Sequence, residues 1–492
     1  MSLMAGLLAA RRGLSTQTTR MAVISQNVAN ADNPDYSRQK VVDQSVPAPY
    51  PSGGVLGQGG PLVGGGVSAV AVLRERASWI EARLRQAAGE TAGAQVQQEA
   101  LKALQEAWGE PGDDGSLSHL FQEWGAAVND WSGHPDDKGV KRVVVERSED
   151  LAAGIRRLAG LVDQTREDQN AGLESDVKRV NELLHQLAET NHAIIAGEAG
   201  SEATGQLRLA NDARDRRDAL LRELAQYAPF RVVAGAEDQA RDGAFRLELG
   251  GAVLVDGDQL LGEFQLNRAG ATADDPRAAT LEWHALPGQP PANQRLDGEV
   301  LGKAGRWAAR LELRDQILTN YAQHLDTLAQ NLADGINAFQ TNPVLFVGSA
   351  GTTEQVRAAD IHVNGSRPGD SGDLFVDPDK LDPGAGNGKV LDWLGWIKPE
   401  ATSPQATATW FQSYSALVAQ LGADVQRSDG MVTTTTLRQD NLQSLRQARS
   451  GVSLDEEMAD LMSSQRAYTA AVRVLQTLDQ ALGDVIDQLG GR

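Results

Sequence analysis

The chain begins and ends with a heptad pattern of mainly apolar residues, and everything else lies between these two segments. The N-terminal seam steps by four and three through Leu3, Leu7, Ala10, Leu14, Gln17, Met21, Ile24 and Val28. The C-terminal seam, with a three-residue slip after Leu475, comprises Leu454, Met458, Leu461, Gln465, Tyr468, Val472, Leu475, Leu478, Leu482, Val485 and Leu489. A narrow apolar stripe of this kind packs against another helix, because an isolated helix would leave it exposed to water. We therefore expect the seams to pack on each other or on neighbouring subunits, in a protein that assembles rather than catalyses.

Charge and composition narrow the possible partners. The net charge of −20 disfavours nucleic acid and anionic membranes, which clustered Lys and Arg bind. The absence of cysteine excludes disulfides and thiolate metal sites, and no apolar run approaches the roughly 18 residues of a membrane span. Residues 1–31 carry three Arg and no acid, whereas residues 452–492 carry seven acids and three Arg. The two ends should therefore attract each other weakly.

The pattern between the seams predicts an α+β multidomain protein with a nested architecture. An uninterrupted helical period over residues 136–197 predicts a helix about 90 Å long, which indicates a bundle or rod. Further helices are predicted at 74–108, 116–131, 204–228, 302–341, 405–448 and 453–488, with an extended segment near 40–72. The predicted units are terminal coiled-coil helices (1–31 with 453–492), a helical rod (32–229 with 302–342 and 401–452), an inserted β domain (230–301) and a loop-rich insert (343–400). The last is a candidate for a second small outer domain.

The search for enzyme chemistry yields no catalytic, cofactor-binding or metal site. The segments 298–303 and 384–389 resemble phosphate loops but lack the required spacing and the Ser or Thr after the Lys. His185 and His192 share a helix face without the i, i+4 spacing of a zinc site, and a solvent-facing position is favoured. The triad Asp377, Asp379 and Asp382 departs from the calcium-loop pattern. The tryptophans Trp393, Trp396 and Trp410 are compatible with a sugar site or with a small core.

Two terminal blocks and two internal ones resemble a known family. The stretch 25–38 (SQNVANADNPDYSR) resembles the signature of bacterial flagellar rod, hook and hook-associated proteins, although Asp35 stands where the family usually has Gly. The resemblance is narrowed to the hook-associated proteins of the first hook–filament junction by four further segments: 450–458, 465–479, 215–225 and the helix 325–337. The residues that carry it are Asn27, Asn30, Tyr36, Arg38, Asp215, Arg217, Asp218, Gly451, Asp455 and Glu456.

The resemblance implies a structural protein of the bacterial flagellum that forms the junction between hook and filament. It implies type III export without a cleaved signal peptide, aided by a cytoplasmic chaperone. The implied partners are hook protein, a second junction protein on the distal side, the export chaperone and further copies of the chain. No cofactor, nucleic acid or membrane insertion is implied. The terminal helices would line the inner tube, and the β insert would face outward.

The physical expectations for such a protein follow from the seams. Single apolar seams are poorly satisfied in an isolated subunit, so the terminal helices should order on addition to a growing end. Polar seam positions Gln17 and Gln465 should penalise wrong registers, and the slip between Leu475 and Leu478 should overwind the coil locally.

Two alternatives of other classes remain open from the residues alone. One is a hydrolase or carbohydrate-binding protein built on the β insert, although residues 230–300 offer no placed nucleophile or acid pair. The other is a mitochondrial coiled-coil protein, because residues 1–31 have the Arg-bearing, acid-free composition of a presequence.

Overall fold

A computed structural model gives the fold of the chain. The residues that the structure describes are 2–47, 64–109, 113, 115–199, 209–234, 245–269, 279–287, 294–340, 343–365, 380–397 and 410–490. The central part of the predicted extended segment (48–63), and Asp377 and Asp379 of the predicted acidic triad, lie outside the described residues.

The N-terminal part is a helix packed on a hairpin. Helix α1 (Ser2–Ala29) ends at the Asn-rich segment that the sequence marks as a stop, and it is followed by antiparallel strands β1 (Gln39–Ser45) and β2 (Val67–Arg74). Arg12 donates to the Gly65 carbonyl over 2.8 Å, and Arg20 forms an ion pair with Asp43. The hairpin is therefore attached along one side of α1.

Three helices follow and form the first half of the rod. They are α2 (Ser78–Trp108), α3 (Leu117–Gly133) and the 61-residue α4 (Lys138–Glu198). The N-terminal caps explain where α3 and α4 begin. The hydroxyl of Ser116 accepts from the His119 amide, and the carboxylate of Asp137 accepts from the amides of Gly139 and Val140. The predicted long helix is thus present within two residues of its expected ends.

Helix α5 (Asn211–Ala225) leads into the β insert, which holds two small antiparallel sheets. The first sheet contains β3 (Arg231–Ala234), β4 (Arg246–Leu249), β5 (Ala252–Asp256) and β6 (Gln259–Leu260); the second contains β7 (Gly262–Asn267), β8 (Thr280–Ala285) and β9 (Gln294–Leu296). The side-chain amide of Asn181 on α4 pairs with both the N–H and the carbonyl of Phe264, each over 2.9 Å. A single helix residue thus satisfies both backbone polar groups of Phe264 in β7.

The chain then returns to the rod. A short helix, α6 (Gly298–Leu301), comes first. Helices α7 (Arg306–Glu312) and α8 (Leu318–Asn337) then replace the single helix predicted at 302–341, and a π-helical segment, Leu313–Ile317, joins them. The π segment places the buried Arg314, which donates to Asn170 and to the Ala279 carbonyl, each over 2.9 Å. This Arg ties α4 to the start of β8.

The second insert contributes to the rod. Its described parts are the short strands β10 (Phe346–Val347) and β11 (His362–Val363), two 3-10 turns (Ser349–Gly351 and Ala385–Asn387) and helix α9 (Gly388–Ile397). Their buried side chains, such as Phe346, Val363 and Trp393, belong to the core of the rod rather than to a separate outer domain. Helices α10 (Trp410–Ser450) and α11 (Leu454–Gly490) complete the chain.

Two hydrophobic cores hold these elements. The rod core contains an aromatic cluster in which Phe121 stacks on Trp410 and Trp393 lies against both Trp124 and Trp131. The second core joins the β insert to the later part of α4, to α5 and to α7 through residues such as Phe264, Trp283 and Trp307. Together the elements form a mostly helical α+β protein, as the sequence predicts, and Trp393 and Trp410 serve a core rather than a sugar site.

Gly305 allows the chain to pass between α5 and α7 at close range. Its φ is +99°, and a Cβ there would lie 2.5 Å from the Tyr227 carbonyl oxygen. The Gly305 amide donates to the Gly89 carbonyl over 3.1 Å, so the backbones of α2 and of the segment before α7 nearly touch. Only glycine fits this position without displacement of the backbone.

We predict that Gly305→Ala lowers the free energy of unfolding by roughly 1–3 kcal/mol, because it adds backbone strain and a steric clash. Gly160→Ala is the matched control. It lies on an exposed turn of α4 with open space around it, and should raise the free energy of unfolding by about 0.5–1 kcal/mol. Urea unfolding followed by circular dichroism measures both, and equal effects would contradict this account of Gly305.

Candidate functional site

The terminal helices α1 and α11 lie against each other and run antiparallel. A Cβ on Gly6 near the start of α1 would lie 3.5 Å from Leu478, whereas Asn27 near its end donates to Glu457 over 3.0 Å. The first half of α1 therefore meets the second half of α11. The sequence predicts that the seams pack either on each other or on neighbouring subunits, and within the subunit they pack on each other.

The predicted seam residues divide into two groups. Ile24 is buried, and a further set is half-buried: Leu7, Leu14, Met21, Leu461, Val472, Leu475, Leu478 and Leu482. The exposed set comprises Val28, Leu454, Met458, Tyr468 and Val485. The side chains of Leu3 and Leu489 lie outside the described part of the structure. Only part of each predicted seam is therefore covered within one subunit.

The frame of the C-terminal seam is displaced by one residue near the start of α11. Glu457 and Ser464 are the buried positions there, and the predicted Met458 and Gln465 are exposed. Glu457 faces inward because it accepts hydrogen bonds from residues near the N-terminal end of the chain. The prediction that Gln465 lies within the seam as a register determinant is therefore wrong for the pairing of α11 with α1.

This displacement leaves a second apolar surface on α11. Leu454, Met458 and Met462, which we call the outward stripe, recur every four residues, and each side chain is 51% exposed. Residues four apart on a helix are neighbours, so the three side chains form one continuous strip. The strip leads into a shallow groove lined by Met462, Gln465, Arg466, Thr469, Ala470 and Arg473.

The terminal helices are attached to the rod through a polar cluster that we call the joint. At its centre the Arg38 guanidinium donates to the buried Glu457 carboxylate over 2.7 Å and to Glu456 over 2.9 Å. The backbone amide of Arg38 also donates to the Ser450 carbonyl over 2.9 Å. One residue thus binds the end of α10 and the start of α11.

Asn27 supplies the second set of contacts in the joint. Its amide nitrogen donates to Glu457 and to the Gln39 carbonyl, each over 3.0 Å. Its amide oxygen accepts from the Tyr36 hydroxyl over 2.8 Å and from the Gln39 amide over 3.0 Å. Four hydrogen bonds thus use the whole side chain, which fixes the end of α1 against β1 and α11.

Helix α5 forms the floor of the joint through Asp215 and Asp218. The Asp215 carboxylate accepts from the Ser37 amide over 3.2 Å and from Arg74 over 2.8 Å. Asp218 lies 2.9 Å from Arg74 and 3.0 Å from Arg76. These ion pairs are buried, and they connect the rod to the hairpin at the end of β2.

Burial and charge shift the titration of these groups. Burial raises the pKa of Asp215, and the charge of Arg74 opposes this rise. Burial also acts to raise the pKa of Asp218, but the charges of Arg76 and Arg74 outweigh it and hold that pKa below its usual value. Burial, aided by the nearby charge of Asp215, raises the pKa of Tyr36, so its hydroxyl remains a hydrogen-bond donor.

A further carboxylate, Glu81 on α2, links the joint to α10. The Arg446 guanidinium donates to Glu81 over 2.7 Å and also binds the Pro34 carbonyl. Arg222 lies 3.3 Å from Glu81 and forms an ion pair with Asp35. The Asp at position 35, where the resembled family usually has Gly, thus has a partner in α5.

The other signature residues lie at or beyond the edge of the joint. Arg217 is buried, with its guanidinium 4.9 Å from the centre of the Phe245 ring in the β insert core. Asn30 donates to the Gln26 carbonyl, and Asp455 lies exposed in the first turn of α11. Gly451 lies in the turn between α10 and α11, where a Cβ would clash with the Gln447 carbonyl. The structure therefore brings together Asn27, Tyr36, Arg38, Asp215, Asp218 and Glu456.

Sequence reasoning missed the partners that complete the joint. Glu457 lies within the recognised C-terminal block but next to the two acids singled out there, and it is the buried one. Arg74, Glu81 and Arg446 lie outside every recognised block. In the sequence each of them is a charged residue at a position where the apolar pattern would predict a buried side chain. Such a residue cannot be told from an exposed charge without the structure.

The candidate ligand sites from the sequence are occupied by ordinary surface contacts. His185 and His192 are exposed and lie 3.4 Å from Glu263 and 2.8 Å from Asp258. Asp382 pairs with Lys389 over 2.6 Å. Within the described ranges, no group of three or more His or acidic residues is arranged to hold a metal ion, and no helix there is long and apolar enough to cross a bilayer.

We predict that Arg38→Met loosens the joint, because it leaves the buried Glu457 carboxylate without its cation. The cost should be roughly 2–4 kcal/mol, given that Arg38 is itself partly exposed. Amide hydrogen exchange in α1 and α11 should accelerate while the rod core stays protected. Lys40→Met is the control, since Lys40 is 73% exposed and pairs only loosely with Glu75, and it should leave exchange unchanged.

The pKa shifts predict opposite acid responses for two neighbouring Asp residues. The lowered pKa of Asp218 contributes stability above the ordinary Asp pKa near 3.8, and this is lost as the pH falls below that value. The raised pKa of Asp215 favours the folded state as the proton binds. Urea unfolding between about pH 7 and pH 3 should show a shallower acid loss for Asp218→Asn and a steeper one for Asp215→Asn. Equal slopes would contradict the assignment.

Comparison with known proteins places this architecture in a family. A family model for the helical domain of the flagellar hook-associated protein FlgK matches residues 101–353. A model for the C-terminal part of flagellar basal body rod FlgEFG proteins matches residues 445–489, and one for flagella basal body rod proteins matches residues 7–36. The two rod-protein matches cover most of the terminal helices and include Asn27, Tyr36 and Glu456 of the joint.

Individual relatives agree with these models. Flagellar hook-associated protein 1 of Bacillus subtilis is 23% identical over 99% of this chain and 98% of its own length. The protein of the same name from Salmonella typhimurium is 24% identical over 68% of this chain and 56% of its own length. The solved hook junction protein FlgK from Burkholderia pseudomallei has 20% identity and a TM-score of 0.45, covering 55% of this chain and 45% of that one. With a helical-domain match over just over half of its residues, the chain belongs to the family of flagellar hook-associated protein 1.

Proposed function

We propose that the chain is a structural subunit of the junction between hook and filament of the bacterial flagellum, and that it assembles through its terminal helices. The observation that carries this is the two-sided α11. One side packs on α1, and the other presents the outward stripe of Leu454, Met458 and Met462 to solvent. Continuous exposed apolar surface of this kind marks an interaction site.

The outward stripe supplies a driving force for assembly. Complete burial of a Leu or Met side chain stabilises by roughly 1.5–3 kcal/mol, so covering three side chains that are half exposed yields several kcal/mol before ordering costs. Tyr468 and Val485 add exposed apolar area elsewhere on the same helix. The joint holds α11 in a fixed direction relative to the rod, which reduces the entropy lost when the next subunit adds.

The proposal extends to the partners and the export route that the resemblance implies. The neighbours of each subunit are hook protein on one side, a second junction protein on the other, and copies of the same chain within the junction. The chain reaches this position by export without a cleaved signal peptide, with the help of a cytoplasmic chaperone. The β insert is attached to α4 through Asn181 and Arg314, and in the assembled junction it faces outward. A structural flagellar family disfavours the hydrolase alternative.

Addition to purified hook ends, imaged by electron microscopy, tests the proposal. The full chain should form a short collar at one end of the hook, and a truncation lacking residues 453–492 should not. Circular dichroism of the truncated chain establishes that the rod remains folded. A folded truncation that still forms the collar would overturn the role of α11.

A single substitution tests the outward stripe. Leu454→Glu should reduce collar formation at least tenfold, because it places a charge on a surface that assembly buries. Glutamate in the first turn of a helix is favoured by the helix dipole, so α11 itself should persist. Leu437→Glu on α10 is the matched control, since Leu437 is 59% exposed and lies outside the stripe, and it should leave collar formation unchanged.

A further inference from the structure

The outward stripe holds two of the six methionines of the chain. Met458 and Met462 lie one turn apart on α11, and each is 51% exposed. Met431 on α10 has the same exposure, 50%, but lies outside the terminal helices. In the free subunit all three residues are thus about half exposed, and they differ in whether the proposed assembly covers them.

The chemistry of an exposed thioether is oxidation. The chain contains no cysteine, so methionine is its only sulfur. A hydroperoxide transfers one oxygen atom to the sulfur. The S–O bond forms as the O–O bond breaks, the sulfur loses two electrons, and hydrogen peroxide leaves as water. The product, methionine sulfoxide, is polar, and reductases return it to the thioether.

We propose that Met458 and Met462 are a modification site: peroxide oxidation of these residues prevents the free subunit from adding to the hook end, and assembly protects both of them. The inference rests on the proposed function, because it requires that the outward stripe is buried in the junction. Two sulfoxide groups on adjacent turns would lose their hydration when assembly covers the outward stripe, and burial of such polar groups is costly. Leucine has nearly the same volume and does not oxidise, so it preserves the surface without the sensitivity.

Three forms of the full chain test this. Wild type, Met458→Leu/Met462→Leu and Met431→Leu are treated with hydrogen peroxide, sulfoxide is located by peptide mass spectrometry, and addition to hook ends is counted by electron microscopy. Oxidised wild type and oxidised Met431→Leu should add about tenfold less than their untreated forms. The oxidised double variant should add normally, and methionine sulfoxide reductases A and B should restore wild type. Peroxide applied after assembly should oxidise Met458 and Met462 more slowly.

The outcomes separate this inference from the proposed function. Failure of untreated wild type to add would overturn the proposed function. If untreated wild type adds and oxidised wild type adds equally well, or if the oxidised double variant loses as much, the inference is wrong. Should the double variant fail to add even untreated, a peroxide time course on wild type decides, since the loss must follow oxidation at Met458 and Met462 and not at Met431.

Discussion

The buried carboxylate of Glu457 is the contact on which the arrangement of the termini depends. It is 1% exposed, and it is neutralised by Arg38 and hydrogen-bonded by Asn27, which lie more than 400 residues earlier. A buried charge that loses its partner is strongly destabilising, whereas an apolar contact tolerates a shift of register. The joint therefore fixes where α1 and α11 meet, and the half-buried apolar seam between them follows from that position.

The same constraint explains why α11 has an outward stripe. Because Glu457 and Ser464 face inward, the apolar residues at 454, 458 and 462 turn away from α1. The heptad pattern is thus shared between two surfaces, one used within the subunit and one left for a neighbour. If α11 buried all of its apolar residues against α1, it would have little apolar surface left for contact with a neighbouring subunit.

Local patterns were sufficient to predict most of the helices, including the 61-residue α4, since its apolar period runs without Pro and Asp137 caps its start. They did not predict the π segment or α9, because Arg314 and Trp393 take their positions from contacts distant in sequence. For the joint, the recognised blocks supplied Asn27, Arg38 and Asp215. The remaining members Arg74, Glu81 and Arg446 come from segments without a motif. Arg74 reaches Asp215, and Arg446 reaches Glu81, only because β2, α2, α5 and α10 pack together.

The order of residues in the joint also bears on how the protein matures. The polypeptide leaves the ribosome from its first residue, and Asn27 and Arg38 emerge while Glu457 has yet to be made. Contacts between such distant segments are among the slowest to form. Until synthesis reaches α11, helix α1 therefore lacks the partner that it has in the folded subunit. A product that stops before Glu457 cannot form the contacts that join the two helices.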